Sequence, residues 1–260
     1  MLRIGTMIVA VLAISASGAM AAWTAPAPAA YINQGSPTGI NDAVWGTANE
    51  YTINVIVNDA ASPTYRTLPA ELADCSGTWK GLWDSTNLYV RVTVTDDLHV
   101  NSATDWQGDC FEVYIDPNND KSATYIPANK DTQSGIAWKS GNYLNTGYAN
   151  QNIALTAVQS DNGGSLPNYT FMVTYVWAGT GTGQLNQTPS LNKLLGLSVY
   201  VCDCDVSGTR EVQLGWGTNS GQLYTNQSAI PTVQLAPEPA TLALLAIGGI
   251  GALIRRRRRS

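Results

Sequence analysis

The stretch LYVRVTVTDD (residues 88–97) alternates strictly. Leu88, Val90, Val92 and Val94 share one face of an extended chain, and Tyr89, Arg91 and Thr93 share the other. A period of two, rich in β-branched residues and free of glycine and proline, predicts a half-buried strand. The pattern recurs on both sides of it. YTINVIVN (51–58), YTFMVTYVW (169–177) and LGLSVYVCD (195–203) alternate in the same way, and VQLGW (212–216) and TVQL (232–235) close the series. DCFEVYID (109–116) buries Phe111, Val113 and Ile115 and turns Cys110, Glu112 and Tyr114 outward. Turn clusters such as WDSTN, DPNNDKS, SDNGG, AGTGTG and DVSGT separate these runs. The one stretch expected to form a helical turn is TPSLNKLLG (188–196). Many short strands without helical crossovers predict an all-β fold, a single-domain β-sandwich of antiparallel strands.

Both ends of the chain carry other information. The first 21 residues hold one early charge, Arg3, an apolar run from Ile8 to Ile14, and then Ala19-Met20-Ala21. A charged start, a short apolar core and a small-residue cleavage site predict a secretory signal peptide over 1–21. At the other end, Ala240 to Ile254 is apolar or small apart from Thr241, and Arg255–Arg259 follow. At about 1.5 Å per residue this segment barely spans a bilayer core. The arginines would stay on the cytoplasmic side. Residues 240–254 are therefore expected to hold an exported chain in the membrane transiently, although a permanent anchor would insert by the same physics. Pro237-Glu238-Pro239 sets a stiff extended break before them. Pro-Glu-Pro, a short apolar helix and an arginine cluster, in that order over 237–260, resemble the PEP-CTERM sorting tail. The resemblance implies removal of the tail by an exosortase-type enzyme and delivery to the Gram-negative outer surface or an extracellular matrix.

The body, residues 22–236, is acidic. With residues 1–21 and 240–260 set aside, which hold Arg3 and Arg255–Arg259, 8 of the 14 basic residues remain against 19 acids, the last of them Glu238, a formal charge near −11. Such a surface disfavours nucleic acid and anionic membranes and suits divalent cations. Asp96, Asp97, Asp116, Asn118, Asp120, Asp203 and Asp205 fall in or beside turns, where oxygen-only clusters suit Ca²⁺. Four cysteines, Cys75, Cys110, Cys202 and Cys204, are an even number in an exported chain and are disulfide candidates. Cys202 and Cys204 are too close in sequence to pair easily, which favours one of them with Cys75 or Cys110. A reduced Cys-x-Cys metal site is the weaker alternative, since no histidine lies near it.

Six stretches in order are similar to the family 9 carbohydrate-binding modules: INDAVW (40–45), LWDSTNLYVRVTVTDD (82–97), DWQGDCFEVYIDPNNDKSATY (105–125), YTFMVTYVW (169–177), LGLSVYVCDCDVSGTR (195–210) and LGW (214–216). The resemblance extends over roughly residues 31–236. The resemblance implies a jelly-roll-like sandwich with structural calcium, and the candidate ligands read separately from the turn acids are Asp96, Asp116, Asp120, Asp203 and Asp205. It implies that Trp106 and Tyr224 form opposing aromatic walls around a sugar, with Glu112 and Gln133 holding hydroxyls. The sequence departs from the sugar-binding pattern in two places: Tyr224 stands where a tryptophan is usual, and no arginine accompanies Gln133. The physical logic runs in parallel. A sugar offers a C–H face that stacks on aromatic rings and a rim of hydroxyls that needs polar partners. Eight Trp and 12 Tyr against 2 Phe suit that need. Rings also fill sandwich cores, and Trp45, Trp83 and Trp216 are expected there.

A glycosidase needs two carboxyl groups about 5–10 Å apart. Glu112 and Asp116 share a strand face at about 13 Å, which is too far. The only histidine, His99, has no nucleophile motif beside it. GTGTG (179–183) lacks the strand-to-helix setting of a phosphate loop. The expected function is therefore non-catalytic carbohydrate binding at the surface or in the matrix, with poly- or oligosaccharide as partner. The alternative is a structural matrix protein with the same fold and no sugar, and a glycoside hydrolase ranks last.

Overall fold

The computed structural model describes residues 28–57, 68–98, 100, 105–126, 130–139, 142–145, 154–160, 169–181, 184–205 and 210–238. The expected signal peptide at 1–21, the apolar tail at 240–254 with its arginines, and His99 lie outside these residues. Among the described residues no helix is long and apolar enough to cross a membrane.

Among the described residues thirteen strands appear in chain order: β1 (Ala30–Gln34), β2 (Glu50–Ile53), β3 (Val55–Ile56), β4 (Ser76–Trp83), β5 (Asn87–Thr95), β6 (Cys110–Asp116), β7 (Thr132–Lys139), β8 (Asn142–Asn145), β9 (Ala154–Ser160), β10 (Tyr169–Val176), β11 (Leu194–Asp203), β12 (Val212–Gly215) and β13 (Thr232–Ala236). One α-helix, α1, runs from Leu68 to Asp74. The fold is an open sandwich. In one layer β4 pairs with β5, β5 with β10 and β10 with β9, while β2 and β1 share the far edge of β4. In the other layer the order is β8-β7-β6-β11, and the far edge of β11 is taken by β13 at its start and β12 at its end. A β1–β13 pair joins the layers.

The alternation of LYVRVTVTDD builds the inner face as expected. Val90, Val92 and Val94 are fully buried with Phe111, Val113, Ile115, Phe171, Val199 and Val201. Phe111 of β6 stacks on Phe171 of β10 at 4.5 Å between ring centroids, which fixes the layers face to face. Close approach elsewhere requires glycine. A Cβ on Gly77 of β4 would lie 3.2 Å from Val201 Cγ2 and 3.1 Å from Ile53 Cδ1. One end of the core is aromatic: Trp79 stacks on Tyr51 at 4.9 Å and meets the edge of Trp216 at 4.8 Å. Trp45, Trp83 and Trp216 are all buried, as expected. Trp83 is in addition tied to the last strand, its indole N–H donating to the Ala236 carbonyl at 2.9 Å.

Three features depart from the sequence reading. First, β1 runs parallel to both neighbours, β13 and β4, within an otherwise antiparallel set of strand pairs. Second, residues 188–196 form no helix. Asn192 adopts a left-handed conformation (φ 66°), and the flanking backbone pairs with Leu235, so the chain enters β11 at Leu194. The helix is instead LPAELAD (68–74), seven residues too short to show a clear period. Third, the outward face of β6 is not exposed. Cys110, Glu112 and Tyr114 are all buried: Cys110 packs on Cys202, Gln213 of β12 bonds to Glu112, and the loop after β12 packs Leu223 and Ile230 with Tyr114.

Candidate functional site

That covering loop creates the first site. Gly217 starts it in a left-handed conformation (φ 75°), and a Cβ there would lie 2.5 Å from Pro231. Leu223 then packs into a small cluster with Tyr114, Tyr200, Val57 and Ile230. The Tyr200 hydroxyl donates to the Ser220 carbonyl at 2.6 Å. The Tyr125 N–H donates to the Thr225 carbonyl at 2.8 Å, and the Gln227 N–H to that of Ser122 at 3.0 Å. These bonds fix the loop on both sides of Tyr224, whose ring remains 45% exposed.

Glu112 lies beneath, opposite Tyr200 of β11 and Gly135 of β7. Its carboxylate accepts from the Tyr114 hydroxyl at 2.6 Å and from the Gln213 amide at 3.1 Å. The Gln133 amide approaches the second oxygen at 3.4 Å and the Tyr114 hydroxyl at 3.2 Å. Burial, and then the Glu112 charge, push the Tyr114 phenol up, so it stays protonated and donates. Glu112 is thus held rigidly by three neutral donors. Trp106, in a single 3-10 turn at Asp105–Gln107, is 48% exposed and precedes β6 by three residues. Asp109, between that turn and β6, ties this end of the strand to its surroundings: it accepts from Val100 N–H at 2.5 Å and from Cys204 N–H at 2.9 Å. Along β6 the order is therefore Trp106 ahead of Cys110, then Glu112, then Tyr114 under the loop that carries Tyr224. Gln133 and Glu112 meet as the sequence reading has them. Gln213 of β12 was not foreseen, because only the β11–β12 register brings it across.

The second site is acidic and lies near the ends of β5 and β11. Asp96 and Asp203 are both 1% exposed, with Asp205 and Cys75 beside them. Their ligand atoms form overlapping sets, each within 4.8 Å: Cys75 with Asp96 and Asp203, Glu71 with Asp74 and Asp203, and Asp74 with Asp205 and Glu211. Asp96 Oδ2 and both carboxylate oxygens of Asp203 are buried without a hydrogen-bond donor. An orphaned buried carboxylate is costly unless a cation or a proton neutralises it. Burial, reinforced by neighbouring acids, pushes Asp203 up to about 8 and Asp96 up to about 7. Burial followed by the charges of Asp74, Asp97 and Glu211 raises Asp205 to about 6. Cys75 is raised by burial and by Asp203 and Asp96, so it is a neutral thiol rather than an anionic ligand. The oxygen-rich remainder fits a hard divalent cation.

Asp116 and Asp120, expected in the same role, stand apart from this cluster. Asp116 accepts from Lys121 N–H at 2.9 Å, and Asp120 accepts from Ser122 N–H at 3.0 Å and the Asn118 amide at 2.8 Å. These two carboxylates close their own turn. Glu71, Asp74 and Glu211 are cluster members the sequence reading missed. The available signal was Glu71 and Asp74 one helical turn apart, directly before Cys75. All four cysteines are buried, and no disulfide joins them.

Comparison with known proteins matches this architecture. The family model described as "Carbohydrate family 9 binding domain-like" matches residues 38–237, and the PEP-CTERM protein-sorting motif matches 235–259. The chain is 27% identical over 220 residues to the exoglucanase XynX of Acetivibrio thermocellus, covering 83% of this chain and 18% of that protein. It is 27% identical over 166 residues to the endo-1,4-β-xylanase A of Thermoanaerobacterium saccharolyticum, covering 64% of this chain and 13% of that one. The chain thus spans under a fifth of the length of either enzyme. Among solved structures, a family 9 carbohydrate-binding module from Caldicellulosiruptor kristjanssonii in complex with glucose has a TM-score of 0.61 at 20% identity, over 80% of this chain and 95% of that one. A complex of a family 9 module from the same organism with cellotriose gives 0.57 at 20% identity, over 80% and 94%. The likeness shows the same fold, and the sorting motif marks the chain for export to the cell surface. By the family model, which spans most of its length, the chain belongs to the carbohydrate family 9 binding domain-like family.

Proposed function

We propose that the protein is a non-catalytic carbohydrate-binding module held at the cell surface or in its matrix. Its site is the covered face of β6, with Trp106 and Tyr224 as aromatic walls and Glu112 and Gln133 as hydroxyl partners. The observation that carries this reading is a buried carboxylate fixed by three neutral donors, with an exposed aromatic in a fixed loop toward each end of the strand. Lone pairs of that carboxylate left over from the phenol and amide bonds would accept sugar hydroxyls in charge-assisted bonds, stronger than those to a neutral acceptor. Solved modules of this fold hold glucose and cellotriose, which makes β-linked glucose sugars the first ligands to try. The relatives' catalytic activities belong to proteins of which the matched stretch is under a fifth, and nothing of them is carried over. Calorimetric titration of the full chain with glucose, cellotriose and a broad glycan panel tests the reading. Binding supports it, and silence across the panel leaves the structural matrix role as the better reading.

A structural divalent cation, Ca²⁺, completes the proposal. The chain's part is to hold it with Asp96, Asp203 and Asp205, joined by Glu71, Asp74 and Glu211. Bound there, calcium would neutralise the carboxylates and tie α1 to the ends of β5 and β11. Asp116 and Asp120 form a separate acidic turn that a second cation could meet only by replacing bonds they already make. After export, an exosortase-type enzyme is the expected partner of the tail, and release follows at the Gram-negative outer surface or into the matrix.

A further inference from the structure

Cys110 and Cys202 lie directly opposite each other across the β6–β11 pair. They form a buried sulfur pair of their own, apart from the apolar cores. Their thiols are hydrogen-bonded to one another. The carbonyls of Val199 and Asp203 turn toward β12, accepting from Trp216 N–H at 3.0 Å and Glu211 N–H at 2.9 Å. The even-numbered residues of β11, Cys202 among them, therefore exchange their backbone bonds with β6. Facing residues of that kind sit about 5.5 Å apart at Cα, inside the range of about 4.4–6.8 Å that a disulfide spans. The other two cysteines have different surroundings. Cys75 stands with Asp96 and Asp203, and the Cys204 backbone is bonded to Asp109.

We propose that Cys110 and Cys202 are joined by a cross-strand disulfide in the exported protein. The bond would lie in the floor of the β6 site, on the same strand face as Glu112. Gln213 links the two, because its amide donates to Glu112 at 3.1 Å and to the Cys202 sulfur at 3.3 Å. Arg210 Nη1 also approaches that sulfur at 3.6 Å. The oxidant is a disulfide of the extracytoplasmic compartment. One of the two cysteines, as the thiolate, attacks one of its sulfurs and releases one thiol, and the other then attacks the mixed disulfide and releases the second. Two S–H bonds are lost and one S–S bond forms. Two electrons and two protons leave on the oxidant's thiols. Because both sulfurs are buried, the exchange belongs to folding, before the segment carrying Arg210 and Gln213 closes.

The test is a non-reducing peptide map of the full chain exported by its own leader. Thiols are alkylated in denaturant before trypsin digestion. The expected product is residues 92–121 joined to residues 194–210, two hydrogens lighter than their sum, with Cys75 alkylated in residues 67–80. Fragmentation should place the link on Cys202, and Cys204→Ser should keep it while Cys202→Ser abolishes it. Reductant should lower the melting temperature of the wild type by about 5–15 °C and leave Cys110→Ser unmoved. Alkylation of both Cys110 and Cys202, or a link from Cys110 to any other cysteine, overturns the proposal.

Discussion

Trp106 and Tyr224 are nearly half exposed, whereas Trp83 is 5% exposed with its indole bonded across the sheet. The three rings should therefore separate binding from folding. Trp106→Ala and Tyr224→Ala should each weaken sugar affinity by about 10- to 100-fold, or about 1–3 kcal/mol, and leave the melting temperature nearly unchanged. Trp83→Ala should do the reverse and cost about 3–5 kcal/mol of stability, enough to unfold a domain of ordinary stability. Calorimetry beside thermal melts reads both. If wild type binds and the two exposed-ring variants bind equally well, the site lies elsewhere. Glu112→Gln keeps the shape of the floor but replaces a charged acceptor by a neutral amide. It should lower affinity more than Gln133→Ala, because Gln133 contacts Glu112 only at 3.4 Å.

At the scale of elements, α1 and the ends of β5 and β11 depend on what neutralises Asp96 and Asp203. In a chelator only protons can. The folded Asp203 carboxyl titrates near 8 against about 4 unfolded. A raised carboxyl contributes stability below the unfolded value and loses it as pH rises through the folded one. The chelated protein should therefore melt progressively lower from about pH 4 to pH 8. Added Ca²⁺ should raise the melt most at the alkaline end, where the carboxylates are already ionised. At 100 times its Kd the gain is about 2.7 kcal/mol. Coincident melts with and without chelator would count against a structural cation. Elements also show what the sequence made legible. β5, β6, β10 and β11 alternate cleanly because one face of each meets the core, so both their existence and their inward residues were readable. β1 and α1 were not: AYINQ is five residues and LPAELAD seven, too short for a period to register. The buried outer face of β6 was equally hidden. Alternation reports two faces and cannot say that a loop 100 residues later covers the polar one. Glu71, Asp203 and Glu211 were scattered for the same reason, since only the topology gathers them.

For the whole molecule, the sorting motif at 235–259 overlaps the last strand by two residues. The protein isolated from the native cell surface should lack its apolar segment, which intact-mass measurement reads directly. Recovery of chains ending at Ser260 would mean that the tail is retained as an anchor. In either case the domain is attached through β13, which is an interior strand. Its neighbours are β11 on one side and β1 on the other, and the Trp83 indole holds its final carbonyl. A polysaccharide that pulls on the module while the tail is still held applies its load at Pro237, along the axis of β13. That direction strains the hydrogen bonds to both flanking strands together, in shear, instead of peeling them one at a time. The point of attachment is then the part of the fold best placed to resist being torn out by the cell's own surroundings.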